Sequence, residues 1–237
     1  MPRIRQIRGR DTLDPRDERR RRGGDRNHEG VSVAALLAAG ALACPGFAST
    51  QGAMQLVTVQ SSGGTSATVG MWRRSGRCWR RVAGPWAADL GRSGLSSHKR
   101  EGDGTTPTGT YRFGETVYGI APNPGVRFRY HRLVCGDWWD EDPSSPTYNT
   151  FRHVACGARP SFGGSSEALW QITPQYRYFA VIDYNASPVV PGRGSAIFLH
   201  VAAGSTAGCV SLPERRLVQL LRWLRPAARP VISITRS

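Results

Sequence analysis

The chain has 237 residues, 32 of them basic and 17 acidic, for a formal net charge of +15. Its hydrophobic content of 39% is too high for a disordered chain, and 28 Gly with 16 Pro are too many turn formers for a helical bundle. No apolar run reaches the ~18 residues of a spanning helix, which excludes a multi-pass membrane protein. Five cysteines without a CxxC pair exclude a disulfide-scaffold miniprotein and a zinc ribbon.

Residues 1–30 are polar and arginine-dense. Val31 to Ala43 then forms an apolar run that closes on Ala41-Leu42-Ala43, the small-x-small form of a signal-peptidase site. Charged stretch, short apolar stretch and small-residue site together predict an export signal over residues 1–48, cleaved near Ala43 or Ala48. The mature chain is then expected in the cell wall or outside the cell. Cys44 follows directly and is a secondary candidate for a lipid anchor. The basic surface suits anionic wall polymers, since no helix-turn-helix, RRM or zinc-finger pattern points to specific nucleic-acid binding.

Residues 49–84 predict an N-terminal β-hairpin extension, and residues 85–237 a single catalytic-size domain. Gln55–Val59 is strand-like. Thr68–Arg73 and Cys78–Val82 alternate around Arg74-Ser75-Gly76-Arg77, a hairpin signature. Further strands are expected at Gly109–Phe113, Tyr178–Tyr184, Ala196–Val201 and Val231–Thr235, most of them separated by Pro and Gly clusters. The body is therefore mostly β. One helix is expected near the C-terminus. Ser211-Leu212-Pro213-Glu214 has the capping-box form, Leu217, Val218, Leu220, Leu221 and Leu224 give one apolar face, and Pro226 ends it.

Export permits disulfides. Cys135 and Cys156 flank a turn-rich loop and are the first pair to bridge, although Cys78, Cys135, Cys156 and Cys209 allow three connectivities. The chemistry concentrates in residues 195–213. A buried-strand pattern ends in His200, and Cys209 follows nine residues on, between Gly208 and Val210. A cysteine nucleophile needs a base, which His200 supplies, and backbone N–H groups around Gly208 and Cys209 suit an oxyanion hole. On spacing alone, a chance pair or a structural disulfide stays open. His98, His131 and His153 are isolated and predict no metal site.

Three ordered stretches resemble the L,D-transpeptidase catalytic domain family, also called the YkuD type. They are Lys99-Arg100-Glu101-Gly102-Asp103-Gly104-Thr105-Thr106-Pro107-Thr108-Gly109, then Asp140-Glu141-Asp142-Pro143 through Tyr148-Asn149. The third is Phe198-Leu199-His200 with Thr206-Ala207-Gly208-Cys209-Val210. The resemblance implies a mostly β, sandwich-like domain and a monomeric cysteine enzyme acting on peptidoglycan stem peptides without a cofactor. It implies Cys209 as nucleophile, His200 as base, and an oxyanion side formed by Thr206, Ala207 and Gly208, with Ser211 as support. Glu101 and Asp103 are read as bracing a turn. The sequence departs from the family pattern in its short His-to-Cys interval, in Ala207 where many members have a second His, and in Ser211 two residues after the cysteine. The implied reaction is 3–3 cross-linking through a Cys209 thioester. The alternatives are an L,D-carboxypeptidase that uses water, and a non-catalytic wall-binding module.

Overall fold

The structure is a computed structural model that describes residues 47, 50, 52–202 and 204–237. Apart from Phe47, the expected export signal lies outside the described residues, as do its cleavage sites and Cys44. In chain order the strands are β1 (Gln55–Gly63), β2 (Ser66–Ser75), β3 (Cys78–Asp89), β4 (Leu95–Ser96), β5 (Thr106–Pro107), β6 (Gly109–Gly119) and β7 (Arg129–Arg132). They continue as β8 (Asp137–Asp140), β9 (Thr150–His153), β10 (Glu167–Ala168), β11 (Phe179–Ile182), β12 (Phe198–Val201), β13 (Val210–Leu212) and β14 (Val231–Arg236). One α-helix, α1 (Glu214–Trp223), lies between β13 and β14 among the described residues. No described helix is long and apolar enough to cross a membrane.

The main sheet runs β11-β12-β13-β3-β2-β1-β14-β6-β7, and β6 also pairs with β11. That extra pairing closes eight strands into a ring, with β7 attached outside it. Strand alternation explains the core. Val57 and Val59 of β1, Leu199 and Val201 of β12, Val210 and Leu212 of β13, and Ile232 and Ile234 of β14 meet in one buried cluster. The apolar stripe of α1 joins it through Leu217, Leu220, Leu221 and Leu224. The residues between them on β12 and β13 face the other way. Phe198 and Cys209 enter a second cluster with Trp139, Leu169, Tyr176 and Phe179, where the small sheet β10-β8-β9 covers the wall.

The expected hairpin is present, and its turn is tighter than expected. Ser75 pairs with Cys78, leaving Gly76-Arg77 as a two-residue turn with Gly76 at φ +60°. The hairpin is not an extension of a separate domain. β3 crosses the expected boundary at 84/85, and β1 lies between β2 and β14, paired in parallel with the latter from Leu56↔Val231 to Ser61↔Arg236. The capping box does not form. Ser211 is committed to β13, opposite His200 and Asp89, so Pro213 takes the N-cap position without a side-chain cap. The helix ends at Trp223, ahead of Pro226.

Cys135 and Cys156 are bridged, with Cα atoms 5.2 Å apart. Beside the bridge, His131 and His153 are not isolated: they converge on the buried Asp137. His131 Nε2 lies 2.8 Å from Asp137 Oδ2, His153 Nδ1 lies 2.7 Å from Oδ1, and the Val134 N–H donates to Oδ2 at 2.8 Å. Bridge and carboxylate together tie β7, β8 and β9. No cluster of metal-ligating side chains occurs among the described residues.

Candidate active site

β12 and β13 run in parallel, with Leu199 opposite Val210 and His200 opposite Ser211. This register puts Phe198, His200, Cys209 and Ser211 on one face of the wall, away from the barrel core. Cys209 carries a free thiol and is 7% exposed. Its Sγ accepts the Phe198 N–H at 3.3 Å and donates to the Ala196 carbonyl at 3.2 Å. Burial pushes this thiol well above its ordinary range. Glu167 and Glu141 push the same way, against the Phe198 N–H and Lys99.

His200 is also buried, and its Nδ1 lies 2.7 Å from the Val201 carbonyl. A carbonyl can only accept, so Nδ1 carries the proton and Nε2 of the neutral ring is left as a base. Burial lowers the His200 pKa, outweighing the Val201 hydrogen bond. Cys209 and His200 open onto one cavity of about 200 Å³, whose walls include Glu167, Tyr176, Thr206 and Ala207. A larger groove of about 1010 Å³ runs along α1 among Arg215, Arg216 and Arg222, but shares no lining residue with it.

The turn before Cys209 is fixed by Thr206. Its Oγ1 donates to the Cys209 carbonyl at 2.7 Å and accepts the Gly208 N–H at 3.1 Å. The Thr206 backbone is itself tied to Leu90 and Arg92. This corrects one expectation: the Gly208 N–H is already engaged and is not an open oxyanion donor. Gly208 is buried at φ +159°, and an added Cβ would meet the Thr105 carbonyl at 2.9 Å and Lys99 Nζ at 3.1 Å, so a side chain does not fit. Ala207 is exposed at the cavity rim. Ser211 is fully buried beside His200 in the ladder, and its Oγ has no hydrogen-bond partner among the described residues.

The match to a family model extends over residues 55–232, three-quarters of the chain, and that model describes the L,D-transpeptidase catalytic domain, YkuD. The chain belongs to this family. No curated protein sequence matches it. Among solved structures it is similar to the helical cell shape determining protein Pgp2 from Campylobacter jejuni. The two are 14% identical with a TM-score of 0.38, over 78% of this chain and 48% of that one. The chain thus spans about half the length of that structure.

In this L,D-transpeptidase domain the other two motif stretches meet around Cys209. Lys99 is 4% exposed and pairs with Asp103 at 3.0 Å, beside Gly208. Asp103 does brace the turn, and its carboxyl is pulled down to about 2. Burial opposes that shift, but N–H groups of Arg100 and Thr105 and the side chains of Lys99 and Thr105 outweigh it. Glu101 does more than brace. It accepts from the Tyr148 hydroxyl, and from Ser195 Oγ at 2.6 Å.

Asn149 is the hub of the second stretch. Its Oδ1 accepts Trp139 Nε1–H at 3.0 Å and the Ala196 N–H at 3.1 Å. Its Nδ2 donates to the carbonyls of Tyr184 (3.2 Å) and Asn185 (2.9 Å). Ala196 is thereby held at φ +50°, a left-handed conformation unusual for a non-glycine, and that conformation presents its carbonyl to Cys209. Asn149 and Glu141 stood within a quoted motif, but no local signal gave their roles. Glu167 and Tyr176 lie outside every motif and were not legible.

Proposed function

We propose that the chain is an exported peptidoglycan L,D-transpeptidase that works through a Cys209 acyl-enzyme. One observation carries this reading: a free Cys209 thiol and a His200 ring with its Nε2 unprotonated share one cavity. His200 accepts the thiol proton as Cys209 Sγ attacks the carbonyl of the third residue of a stem tetrapeptide. The imidazolium then protonates the departing terminal D-alanine, and a thioester remains on Cys209. The side-chain amine of a neighbouring stem attacks that thioester and gives a 3–3 cross-link. With Gly208 engaged, the N–H of Cys209 itself serves the oxyanion.

The free thiol favours the enzyme over a wall-binding module, in which Cys209 would be blocked or oxidised. The Cys135–Cys156 bridge suits an oxidising compartment and so supports export. Intact mass spectrometry after incubation with a stem tetrapeptide tests the proposal. An acyl adduct is expected on the wild type and not on a folded Cys209→Ala variant. An adduct on both, or on neither with Cys209 reduced, overturns it. A tripeptide as the sole product in the presence of acceptor amine assigns the activity to an L,D-carboxypeptidase.

A further inference from the structure

Glu167 faces the Cys209 cavity and has no part in the acylation just described. It pairs across the small sheet with Trp139, and Glu141, two residues on and just past the end of β8, binds back to the same edge through its N–H to Ser166 Oγ at 3.0 Å. Glu141 and Glu167 are therefore diagonal neighbours on the face turned toward the barrel wall. Glu141 is 8% exposed, and its Oε1 has no hydrogen-bond partner among the described residues. Its other oxygen lies 3.4 Å from Ser195 Oγ, whose single proton is used at 2.6 Å on Glu101. A buried carboxylate so poorly served is costly, and the neutral acid is the stable form. Burial, then Glu167 and Glu101, raise its pKa accordingly. Glu167 differs. It borders the cavity and accepts the Tyr176 hydroxyl, so it carries the negative charge of the pair. Burial still raises its pKa, which makes it a better base than a surface carboxylate.

The proposed function requires an amine to attack the thioester, and a free side-chain amine arrives as an ammonium ion, which has no lone pair. In a chain of net charge +15, the cavity presents this carboxylate within reach of the acyl-enzyme. We infer that Glu167 binds the acceptor ammonium and removes its first proton, making the site selective for an amine over water. This inference rests on the acyl-enzyme reading above. The step balances as follows. The ammonium N–H proton passes to Glu167, and the freed amine nitrogen attacks the thioester carbon. The C–S bond then breaks to the Cys209 thiolate. The second nitrogen proton passes to His200 and on to Sγ, regenerating the thiol. Glu167 finally returns its proton to water.

Glu167→Gln in the mature chain tests the inference with two nucleophiles: a stem peptide bearing a side-chain ammonium, and hydroxylamine, which is unprotonated at neutral pH. The acyl adduct is still expected to form, at a rate changed by the loss of a charge that raises the Cys209 thiol, so the ratio is read on the preformed adduct. The ratio of aminolysis to hydrolysis with the stem peptide is expected to fall about 100-fold, the usual size of a lost proton-transfer group. With hydroxylamine the ratio is expected to stay within about twofold, because no proton has to be removed first. Glu167→Asp keeps the carboxylate and restores part of the lost ratio. It also serves as the test if the Gln variant does not fold. A parallel fall with both nucleophiles marks a structural role and overturns the inference, as does an unchanged ratio with the stem peptide. An absent adduct on the wild type overturns the acyl-enzyme reading instead, and this inference with it.

Discussion

Burial raises the Cys209 thiol and lowers the His200 imidazole, so both shifts favour the neutral pair over a thiolate–imidazolium pair. The thiolate fraction, and with it reactivity, then climbs with pH. Alkylation of the free protein by iodoacetamide is expected to be slow at neutral pH and to rise without a plateau toward the alkaline limit of the fold. A rate already level in acid would show a preformed ion pair and refute this. Asn149→Ala removes the one side-chain oxygen that accepts from both Trp139 and Ala196, and it orphans the carbonyls of Tyr184 and Asn185. The expected cost is about 3 kcal/mol, read from urea midpoints, because each buried orphan keeps its desolvation penalty. The same variant frees the Ala196 carbonyl from Cys209, so alkylation should speed up. Cys209 and His200 stood out as candidates because a thiol beside a Gly-rich turn and an imidazole at a strand end are conspicuous by type, and the structure brings both to one cavity. Asn149 did not stand out, since its four bonds reach residues distant in the chain.

The small sheet β10-β8-β9 carries Glu141 and Glu167 over the site, and two cross-links hold it. The Cys135–Cys156 bridge closes a sequence separation of 21 residues. Replacing both by Ser is expected to cost about 3 kcal/mol in thermal or urea unfolding, on chain-entropy grounds. The second cross-link is the His131–Asp137–His153 contact. Burial would raise the Asp137 carboxyl, but the Val134 N–H and the two histidines outweigh it and hold it below its ordinary value of 3.8. A group depressed in the folded state contributes stability above 3.8, and that contribution is lost as pH falls through the folded value. Asp137→Asn should therefore destabilise at pH 7 and flatten the acid limb of a stability–pH curve; an acid limb as steep as in the wild type would exclude this role. The bridge was legible from two cysteines flanking turn residues. The histidines looked isolated because His153 meets Asp137 across the β8–β9 ladder and His131 reaches it from the other sheet, and neither contact leaves a fixed spacing in sequence. Ser211 erred the other way. Its local capping pattern was genuine, but the ladder with β12 claimed the residue first.

Alternation along single strands gave most of the barrel staves, whereas the ring did not follow from any one of them. Closure depends on β6, which pairs with β14 through its first residues and with β11 through its later ones. A register shared between segments some seventy and a hundred and twenty residues apart has no local signature. For the same reason the hairpin looked detachable. A chain starting at residue 85 would lack β1, β2 and half of β3, leaving β14 and the remnant of β3 with open edges. Residues 85–237 are expected to yield no cooperative unfolding transition, while residues 49–237 do; circular dichroism during heating distinguishes them.

The parallel pairing of β1 with β14 has a directional consequence. Strand directions alternate from β1 through β2 and β3 to β13, so Cys209, just before β13, lies at the rim where β1 and β14 finish. Gln55 enters at the opposite rim. The barrel is therefore entered by β1 at the end away from the Cys209 cavity. A purification handle after Ser237 would crowd the mouth, and one placed before Gln55 would leave it clear.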